Sequence, residues 1–91
     1  MIRNKKQTQN KILKALVRLG AVHPPLPSYR HVEEESGVPF PTISGHVREL
    51  KAKGLIEYIP GESRTIHITA YGIKWLDWIE GRAEKPPTKV A

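Results

Sequence analysis

Apolar residues recur at the spacing of an α-helix near the start of the chain, with basic residues mostly on the opposite side. The apolar positions are Ile12, Leu13, Leu16, Val17 and Leu19. They predict a first helix over residues 8–19, with Thr8 as its cap and Gly20 at its end. The proline-rich stretch at 23–27 cannot continue a helix, so it predicts a stiff connector.

Capping residues and helix breakers predict two further helices. Ser28 is a preferred N-cap, and it predicts a short second helix over 29–36 that ends at Gly37. The third helix is predicted over 41–53, because proline is tolerated in the first turn of a helix and Gly54 provides a stop.

The pattern then changes to that of strands. Residues 55–59, LIEYI, are rich in β-formers, and residues 64–69, RTIHIT, alternate apolar with polar side chains. The turn-forming sequence PGES separates them at 60–63, which predicts a β-hairpin. A last helix is predicted over 70–80, with Thr69 as its cap.

The predicted order is three helices, two strands and a final helix. It predicts a mainly α fold with a small β-hairpin, in the winged helix-turn-helix arrangement: a three-helix core, a two-stranded wing and an extra C-terminal helix. We expect one domain over residues 1–80. A flexible tail is expected over 81–91, because that stretch is polar and contains prolines.

Charge and composition narrow the classes of function. The formal net charge is +6, and residues 1–20 contain basic but no acidic side chains. This asymmetry is expected of a protein that turns one face to a polyanion. The absence of cysteine excludes disulfides and thiolate metal sites, and no stretch resembles a membrane span or a signal peptide. We therefore expect a cytoplasmic, nucleoid-associated protein with no membrane partner.

The third predicted helix carries a glycine in its body, where glycine costs about 1 kcal/mol relative to alanine. At about 100° per residue, Ile43, Val47 and Leu50 fall on one stripe, which predicts the core-facing side. Gly45 lies on nearly the opposite side. Tight packing within the domain therefore does not explain this glycine, and we expect it to point outward.

An outward glycine is useful where a partner must approach the helix backbone closely. The major groove of DNA is such a partner, because it admits an α-helix and is read by short side chains near the helix N-terminus. The predicted base-reading residues are Thr42, Ser44, Gly45 and Arg48. The alternatives are a tolerated surface glycine and an ordinary solvated arginine.

Three other segments supply candidate contacts to the DNA backbone. The wing tip at 60–64 would reach phosphates or a minor groove, or it is a generic solvated turn. The start of the second helix would hold phosphate through its N-terminus and side chains. Two lysines near the end of the third helix would meet phosphate or the helix dipole. The candidates are Gly61, Ser63 and Arg64; Ser28, Tyr29 and Arg30; and Lys51 and Lys53.

The run HVRELKAKGLIEYIPGESRTIHI lies within a longer stretch, residues 8–69, that resembles the DNA-binding domain of LexA-type repressors. A histidine opens the second half of the third helix, Lys-Gly precedes the first strand, and Gly-x-Ser-Arg follows in the wing. The resemblance implies that the base-reading face is formed by Thr42, Ser44, Gly45 and Arg48. It also implies that the wing contains Ser63 and Arg64, and that Ser28 is a helix cap that contacts a phosphate.

The chain departs from that family's pattern at three points. Glu33 stands where the family usually has a small residue, and its carboxylate is expected to tilt to solvent or to meet a cation. Pro39 and Pro41 bracket the start of the third helix, where the family often has Ser-Pro-Ser or Ser-Pro-Asn, so base contacts at that end are not carried over. The family's self-cleaving protease domain is absent from these residues, so autoproteolytic induction is not expected.

The last predicted helix is rich in aromatic and apolar residues. Its start, Thr-x-x-Gly at 69–72, resembles the closing helix of winged-helix regulators of the MarR and PadR types, where such a helix often serves dimerisation. The residues on one side of it are Tyr71, Trp75, Trp78 and Ile79. They are explained by packing against the first helix or by a homodimer through this helix, since symmetric dimers that read palindromic half-sites gain affinity.

These observations favour a sequence-specific double-stranded DNA-binding transcriptional regulator of the repressor type. The helix over 41–53 would lie in the major groove, and the wing at 60–64 would lie on the backbone or in the minor groove. Two alternatives stay open: a protein-interaction winged-helix module that uses the apolar last helix, and a replication or nucleic-acid-processing accessory protein with stacking aromatics. An enzyme is not expected, because the histidines are scattered and no catalytic spacing occurs. No cofactor and no metal site is predicted.

Overall fold

The computed structural model describes residues 5–88, with the side chain of Lys5 excepted. Over these residues it has four α-helices and one two-stranded antiparallel sheet, in the predicted order. The elements are α1 (Lys5–Arg18), α2 (Tyr29–Ser36), α3 (Phe40–Ala52), β1 (Ile56–Glu57), β2 (His67–Ile68) and α4 (Ala70–Ile79). The prediction of a mainly helical fold with a small β-hairpin is confirmed.

The first helix begins earlier than its apolar pattern predicts, since α1 already includes Lys5. Thr8 lies inside the helix and is 5% exposed, so its predicted role as a cap is wrong. Lysine and glutamine are good helix formers, and residues 5–7 contain no breaker. Helix α3 is shifted by one residue from the predicted 41–53, because it begins at Phe40 and ends at Ala52.

The predicted helix caps are otherwise confirmed. Three glycines follow α1, α2 and α3 in the left-handed conformation typical of a helix stop. They are Gly20, Gly37 and Gly54, with φ of 69°, 72° and 78°. Ser28 and Thr69 are the N-caps of α2 and α4, and the side-chain oxygen of each accepts a backbone N–H bond from its helix.

The hairpin is shorter than the strand pattern predicts over 55–59 and 64–69. The paired residues are Ile56 with Ile68 and Glu57 with His67. Beyond them, the hydroxyl of Thr65 accepts a hydrogen bond from the N–H of Ile59 at 2.9 Å. Because a side chain takes this donor, the backbone ladder does not continue, and the chain opens into a loop that forms the tip of the hairpin.

One hydrophobic core joins the helices and the hairpin. Its buried members include Ile12, Leu13 and Leu16 from α1, Val32 from α2, Ile43, Val47 and Leu50 from α3, Ile56 and Ile68 from the hairpin, and Leu76 from α4. The three α3 residues are the predicted core-facing stripe, so that prediction is confirmed. The direction of this stripe determines which residues of α3 face solvent.

Helix α4 closely approaches the segment after α3 and the hairpin at Gly72. A Cβ at this position would overlap the carbonyl oxygen of Leu55 and would lie 2.8 Å from Cγ1 of Ile68. One turn earlier, the hydroxyl of Thr69 donates a hydrogen bond to the carbonyl oxygen of Gly54 at 2.7 Å. The Thr-x-x-Gly sequence therefore attaches α4 to the segment that links α3 to β1.

The residues after α4 are tied to the helices by ion pairs. Arg82 lies 2.9 Å from the carboxylate of Asp77 and 2.7 Å from that of Glu80, which also meets Lys14 of α1 at 2.6 Å. Hydrogen bonds from Lys14 and Arg82 hold the pKa of Glu80 below its usual value.

Of the predicted tail, residues 81–88 are described and residues 89–91 lie outside the described part of the chain. Within residues 5–88, no helix combines the length and apolar character that a membrane crossing requires.

The contrast between Gly72 and Gly45 gives a test of this packing. A Cβ at Gly45 would meet no atom within 4 Å, unlike one at Gly72. We expect Gly72→Ala to lower the free energy of unfolding by about 1–3 kcal/mol, because the added methyl overlaps a neighbouring carbonyl. We expect Gly45→Ala to raise it by up to about 1 kcal/mol, because alanine is the better helix former. Urea unfolding followed by circular dichroism measures both, and wild-type stability in Gly72→Ala would contradict the close approach.

Candidate nucleic-acid interface

Helix α3 presents a solvent-facing strip around Gly45. The residues of this strip, called here the α3 outer face, are Pro41, Ser44, Gly45, Arg48 and Ala52, and all of them are exposed. Beyond its chain neighbours and the backbone of its own helix, a Cβ at Gly45 would meet no atom within 4 Å. Gly45 thus points outward, as the helical periodicity predicts, and its backbone is open to close approach from outside.

Three of the four predicted base-reading residues lie on the α3 outer face. They are Ser44, Gly45 and Arg48. Thr42 is partly buried, at the edge of this face. Apart from Arg48, the outer face carries only small side chains, so a partner surface would reach the helix backbone there. Arg48 adds a long cationic side chain at one point of this strip.

The start of α3 is capped by a side chain from α2. Oε2 of Glu33 accepts a hydrogen bond from the N–H of Phe40 at 2.7 Å. The carboxylate therefore meets the positive end of a helix, whereas the sequence leads us to expect that it tilts to solvent or meets a cation. Pro39 provides no side-chain cap and Pro41 has no N–H, while the N–H of Thr42 bonds to the carbonyl of Pro39 at 3.0 Å. These N-terminal donors of α3 are used within the protein instead of on a phosphate.

Lys51, a predicted phosphate contact, is directed at the hairpin. Its Nζ donates a hydrogen bond to the carbonyl oxygen of Tyr58 at 2.9 Å and lies 4.6 Å from the centre of the Tyr58 ring. It also lies 3.9 Å from the carboxylate of Glu57. Lys51 thus connects the end of α3 to the hairpin, which gives it a positioning role.

Lys53, the second predicted lysine contact, is directed at α1. Its Nζ donates a hydrogen bond to Oε1 of Gln9 at 3.2 Å. Gln9 is 5% exposed and its Nε2 donates to the carboxylate of Glu49 at 2.8 Å and lies 3.2 Å from Nδ1 of His46. Gln9 therefore joins three side chains of the α3 segment to α1.

The hairpin tip is organised by Thr65, one of the polar residues that alternate with apolar residues in the second predicted strand. Its hydroxyl binds the N–H of Ile59 and lies 3.3 Å from the carbonyl oxygen of Glu62. The candidate contacts Gly61, Ser63 and Arg64 are all exposed. Arg64 has a φ of 57°, a left-handed conformation that is uncommon for residues other than glycine. The loop thus presents an exposed cation on a turn held by internal hydrogen bonds.

The three candidate residues at the start of α2 differ in their exposure and in their contacts within the protein. The hydroxyl of Ser28 accepts a hydrogen bond from the N–H of His31 at 3.4 Å and lies 2.9 Å from its Nδ1, so Ser28 acts as a structural cap. Tyr29 is partly buried. Arg30 has an 85% exposed side chain that lies 4.0 Å from the carboxylate of Glu34. Arg30 is therefore the side chain of this segment that extends furthest into solvent.

Three aromatic side chains and one isoleucine, Tyr29, Phe40, Tyr58 and Ile59, form a patch at the start of α3 that is called here the aromatic patch. The rings of Tyr29 and Phe40 meet edge to face at 5.6 Å, and Tyr29, Tyr58 and Ile59 line one cavity of about 270 Å³. Burial raises the pKa of the Tyr29 phenol, and the nearby Tyr58 adds to the rise. Phe40 is 47% exposed and Ile59 is 54% exposed. These residues come from α2, from α3 and from the segment after β1, so no sequence spacing reveals the patch.

The residues predicted as dimer contacts lie on α4 and partly face α1. Trp75 and Trp78 meet edge to face at 5.2 Å, and Tyr71 lies 6.4 Å from Trp75. Trp75, Trp78 and Ile79 line a groove of about 510 Å³ together with residues of α1 and of the end of α3. This cavity is called here the α1–α4 groove. Homodimerisation through α4 stays a prediction.

Within residues 5–88, no group of histidine and acidic side chains is arranged to hold a metal ion. No protein-family model matches the chain, and no curated protein matches it either. The likeness to LexA-type repressors therefore stays a prediction from the residues at 8–69, and function is inferred below from the geometry of the α3 outer face and its neighbours.

The Glu33 cap can be tested by removing the carboxylate. We expect Glu33→Ala to lower the free energy of unfolding by about 0.5–2 kcal/mol, the usual cost of losing a helix cap. Glu34→Ala is the matched control: it removes an exposed carboxylate from the same turn of α2, and we expect a change within about 0.5 kcal/mol. Urea unfolding gives the stabilities, and amide exchange at Phe40 reports the cap. Equal losses in the two variants would contradict a special role for Glu33.

Proposed function

We propose that the chain is a sequence-specific, double-stranded DNA-binding transcriptional regulator with winged helix-turn-helix architecture. The observation that carries this proposal is the α3 outer face, where Gly45 has open space around it and is flanked by exposed Ser44 and Arg48. A strip of small residues with one long cation suits a helix that enters a major groove. The formal net charge of +6 also suits a polyanionic partner.

In this proposal the contacts divide into base reading and backbone binding. Ser44 and Thr42 would bond to base edges, and Arg48 would donate two hydrogen bonds to a guanine. The exposed arginines Arg30 and Arg64, on either side of α3 in the sequence, would neutralise phosphates. Phosphate contacts would supply most of the affinity, so binding would weaken steeply with salt.

The resemblance to LexA-type repressors supports a repressor-like role and a location with the chromosome. Glu33 and Lys51 would act as positioning residues, because they fix α3 to α2 and to the hairpin rather than pointing to solvent. The hairpin loop at 60–64 would serve as the wing. A homodimer through α4 would pair two such surfaces on a palindromic site.

The aromatic patch favours a second candidate, an accessory protein of nucleic-acid processing that binds unpaired bases. Exposed Phe40 and its edge-to-face partner Tyr29 offer a surface on which a base would stack. The two candidates differ in the preferred nucleic acid. In a competition experiment, protein bound to labelled duplex DNA is displaced by unlabelled single strand or by unlabelled duplex. Displacement at a lower concentration of the single strand than of the duplex would favour this second candidate.

The open space at Gly45 gives the main test of DNA binding. Wild-type protein should bind random duplexes with dissociation constants on the order of 10⁻⁴ to 10⁻⁶ M at moderate salt and should bind duplexes selected from a random pool more tightly. We expect Gly45→Leu to lose this selected-site preference, because the side chain holds the helix away from the groove. Gly45→Ala is the matched control and should retain more of it. Fluorescence anisotropy measures the affinities, and unchanged binding by Gly45→Leu would refute the proposed orientation.

Arg48 should determine sequence preference rather than overall affinity. We expect Arg48→Ala to weaken the selected duplex by about 1–3 kcal/mol and to relax selection at one base pair. Lys74→Ala removes an exposed cation from α4 and should leave the preference unchanged. Anisotropy on selected and scrambled duplexes separates the two effects. A uniform loss on both duplexes would assign Arg48 to phosphate instead of a base.

A further inference from the structure

We propose that Phe40 reads the 5-methyl group of a pyrimidine, so that the preferred duplex carries thymine or 5-methylcytosine at one position of the major groove. Phe40 is the first residue of α3, and it is 47% exposed. This inference rests on the proposed function, because it needs α3 to lie in the groove. It adds a specificity-determining residue to those predicted on the α3 outer face.

The place of Phe40 on α3 suits a contact at the side of the groove. Phe40 lies one turn before Ser44, so the two side chains share one flank of the helix. The N-terminal residues of a recognition helix contact base edges. When the α3 outer face points at the floor of the groove, this flank points at its side. The C5 position of a pyrimidine lies on that side, next to the backbone of its own strand.

The chemistry of the exposed ring selects a methyl group among the groups that the groove presents. A phenyl ring has no polar atom to pair with the donors and acceptors of the base edges. The 5-methyl of thymine is the apolar group on the major-groove edge of the base pairs, and phenylalanine is among the side chains that contact it. Cytosine has a hydrogen at this position, so methylation of cytosine creates the same contact.

Two contacts hold Phe40 in place before any partner binds. Its N–H donates a hydrogen bond to Oε2 of Glu33 at 2.7 Å, which fixes the backbone. Its ring meets the ring of Tyr29 edge to face, with centroids 5.6 Å apart and planes at 71°. Tyr29 itself packs against the hydrophobic core. Because the residue is held at both points, little side-chain entropy is lost when the ring meets a methyl group.

The carboxylate of Glu33 argues against a phosphate as the partner of this part of α3. It lies at the N–H of Phe40, so its negative charge repels a phosphate placed there. It also occupies a backbone donor of the kind that binds anions at helix starts. An exposed apolar ring beside a carboxylate instead suits an uncharged group of the duplex, such as a methyl.

The test changes single methyl groups of the DNA without changing its base pairs. In a duplex selected from a random pool, each thymine is replaced in turn by uracil and each cytosine by 5-methylcytosine. We expect at least one position at which the base with a 5-methyl group binds about fourfold more tightly than its counterpart without one, the effect of burying one methyl group. Fluorescence anisotropy measures the affinities.

Variants assign this preference to Phe40. Phe40→Ala and Phe40→Gln should bind duplexes with and without the methyl group equally, whereas Phe40→Leu should retain part of the preference because its side chain is apolar. Ile59→Ala is the matched control and should keep the full preference, since Ile59 is a 54% exposed apolar residue of the same patch that lies outside α3. Each preference is a ratio of two affinities of one variant, so a uniform loss of binding leaves it unchanged. Thermal melting checks that each variant folds.

Three results would overturn this proposal and leave DNA binding standing. The first is a wild-type protein that prefers the selected duplex but responds to none of the methyl changes. The second is a methyl preference that persists in Phe40→Ala and Phe40→Gln, because another residue would then read the methyl group. The third is a loss in Phe40→Ala that is greater on single-stranded than on duplex DNA, because the ring would then stack on unpaired bases. A wild-type protein that prefers no duplex would instead refute both this proposal and the proposed function.

Discussion

Burial of Ile43, Val47 and Leu50 in the common core fixes the direction of every other side chain on α3. A helix turns by about 100° per residue, so the side opposite a buried stripe must face away from the core. Rotating α3 to bury Gly45 would expose these large apolar side chains, each at a cost of about 1.5–3 kcal/mol, and would bury the Arg48 charge. The orientation of the candidate interface is therefore set by the core before any partner binds.

Polar contacts from three neighbours hold α3 in that orientation. Glu33 of α2 caps its first turn, Lys51 fastens its last turn to the hairpin, and Gln9 of α1 binds its flank. None of these three contacts follows from a sequence pattern, because each joins residues from separate segments of the chain. The charged residues around α3 thus divide by geometry: some position the helix within the protein, and Arg48 projects from it.

Local features of this fold are predictable from the sequence because their causes are local. Helix stops at Gly37 and Gly54 follow from the preference of glycine for positive φ, and the outward direction of Gly45 follows from periodicity alone. Other features of the fold have no such local signal. The early start of α1 has no apolar signal, and the short hairpin depends on where the hydroxyl of Thr65 goes. The aromatic patch and the Glu33 cap join residues from separate elements, which only the assembled chain brings together.

Gln9 connects the α1–α4 groove with the flank of α3. Its Nε2 donates to Glu49 and, with Nδ1 as acceptor, to His46, while its Oε1 accepts from Lys53. Gln9 is 5% exposed, and its amide therefore uses both of its N–H donors and its oxygen within the protein. Moving any one partner would leave a buried polar atom unsatisfied, which costs about 1–3 kcal/mol. The three α3-segment side chains and Gln9 consequently behave as one unit, and Lys53 belongs both to that unit and to the wall of the groove.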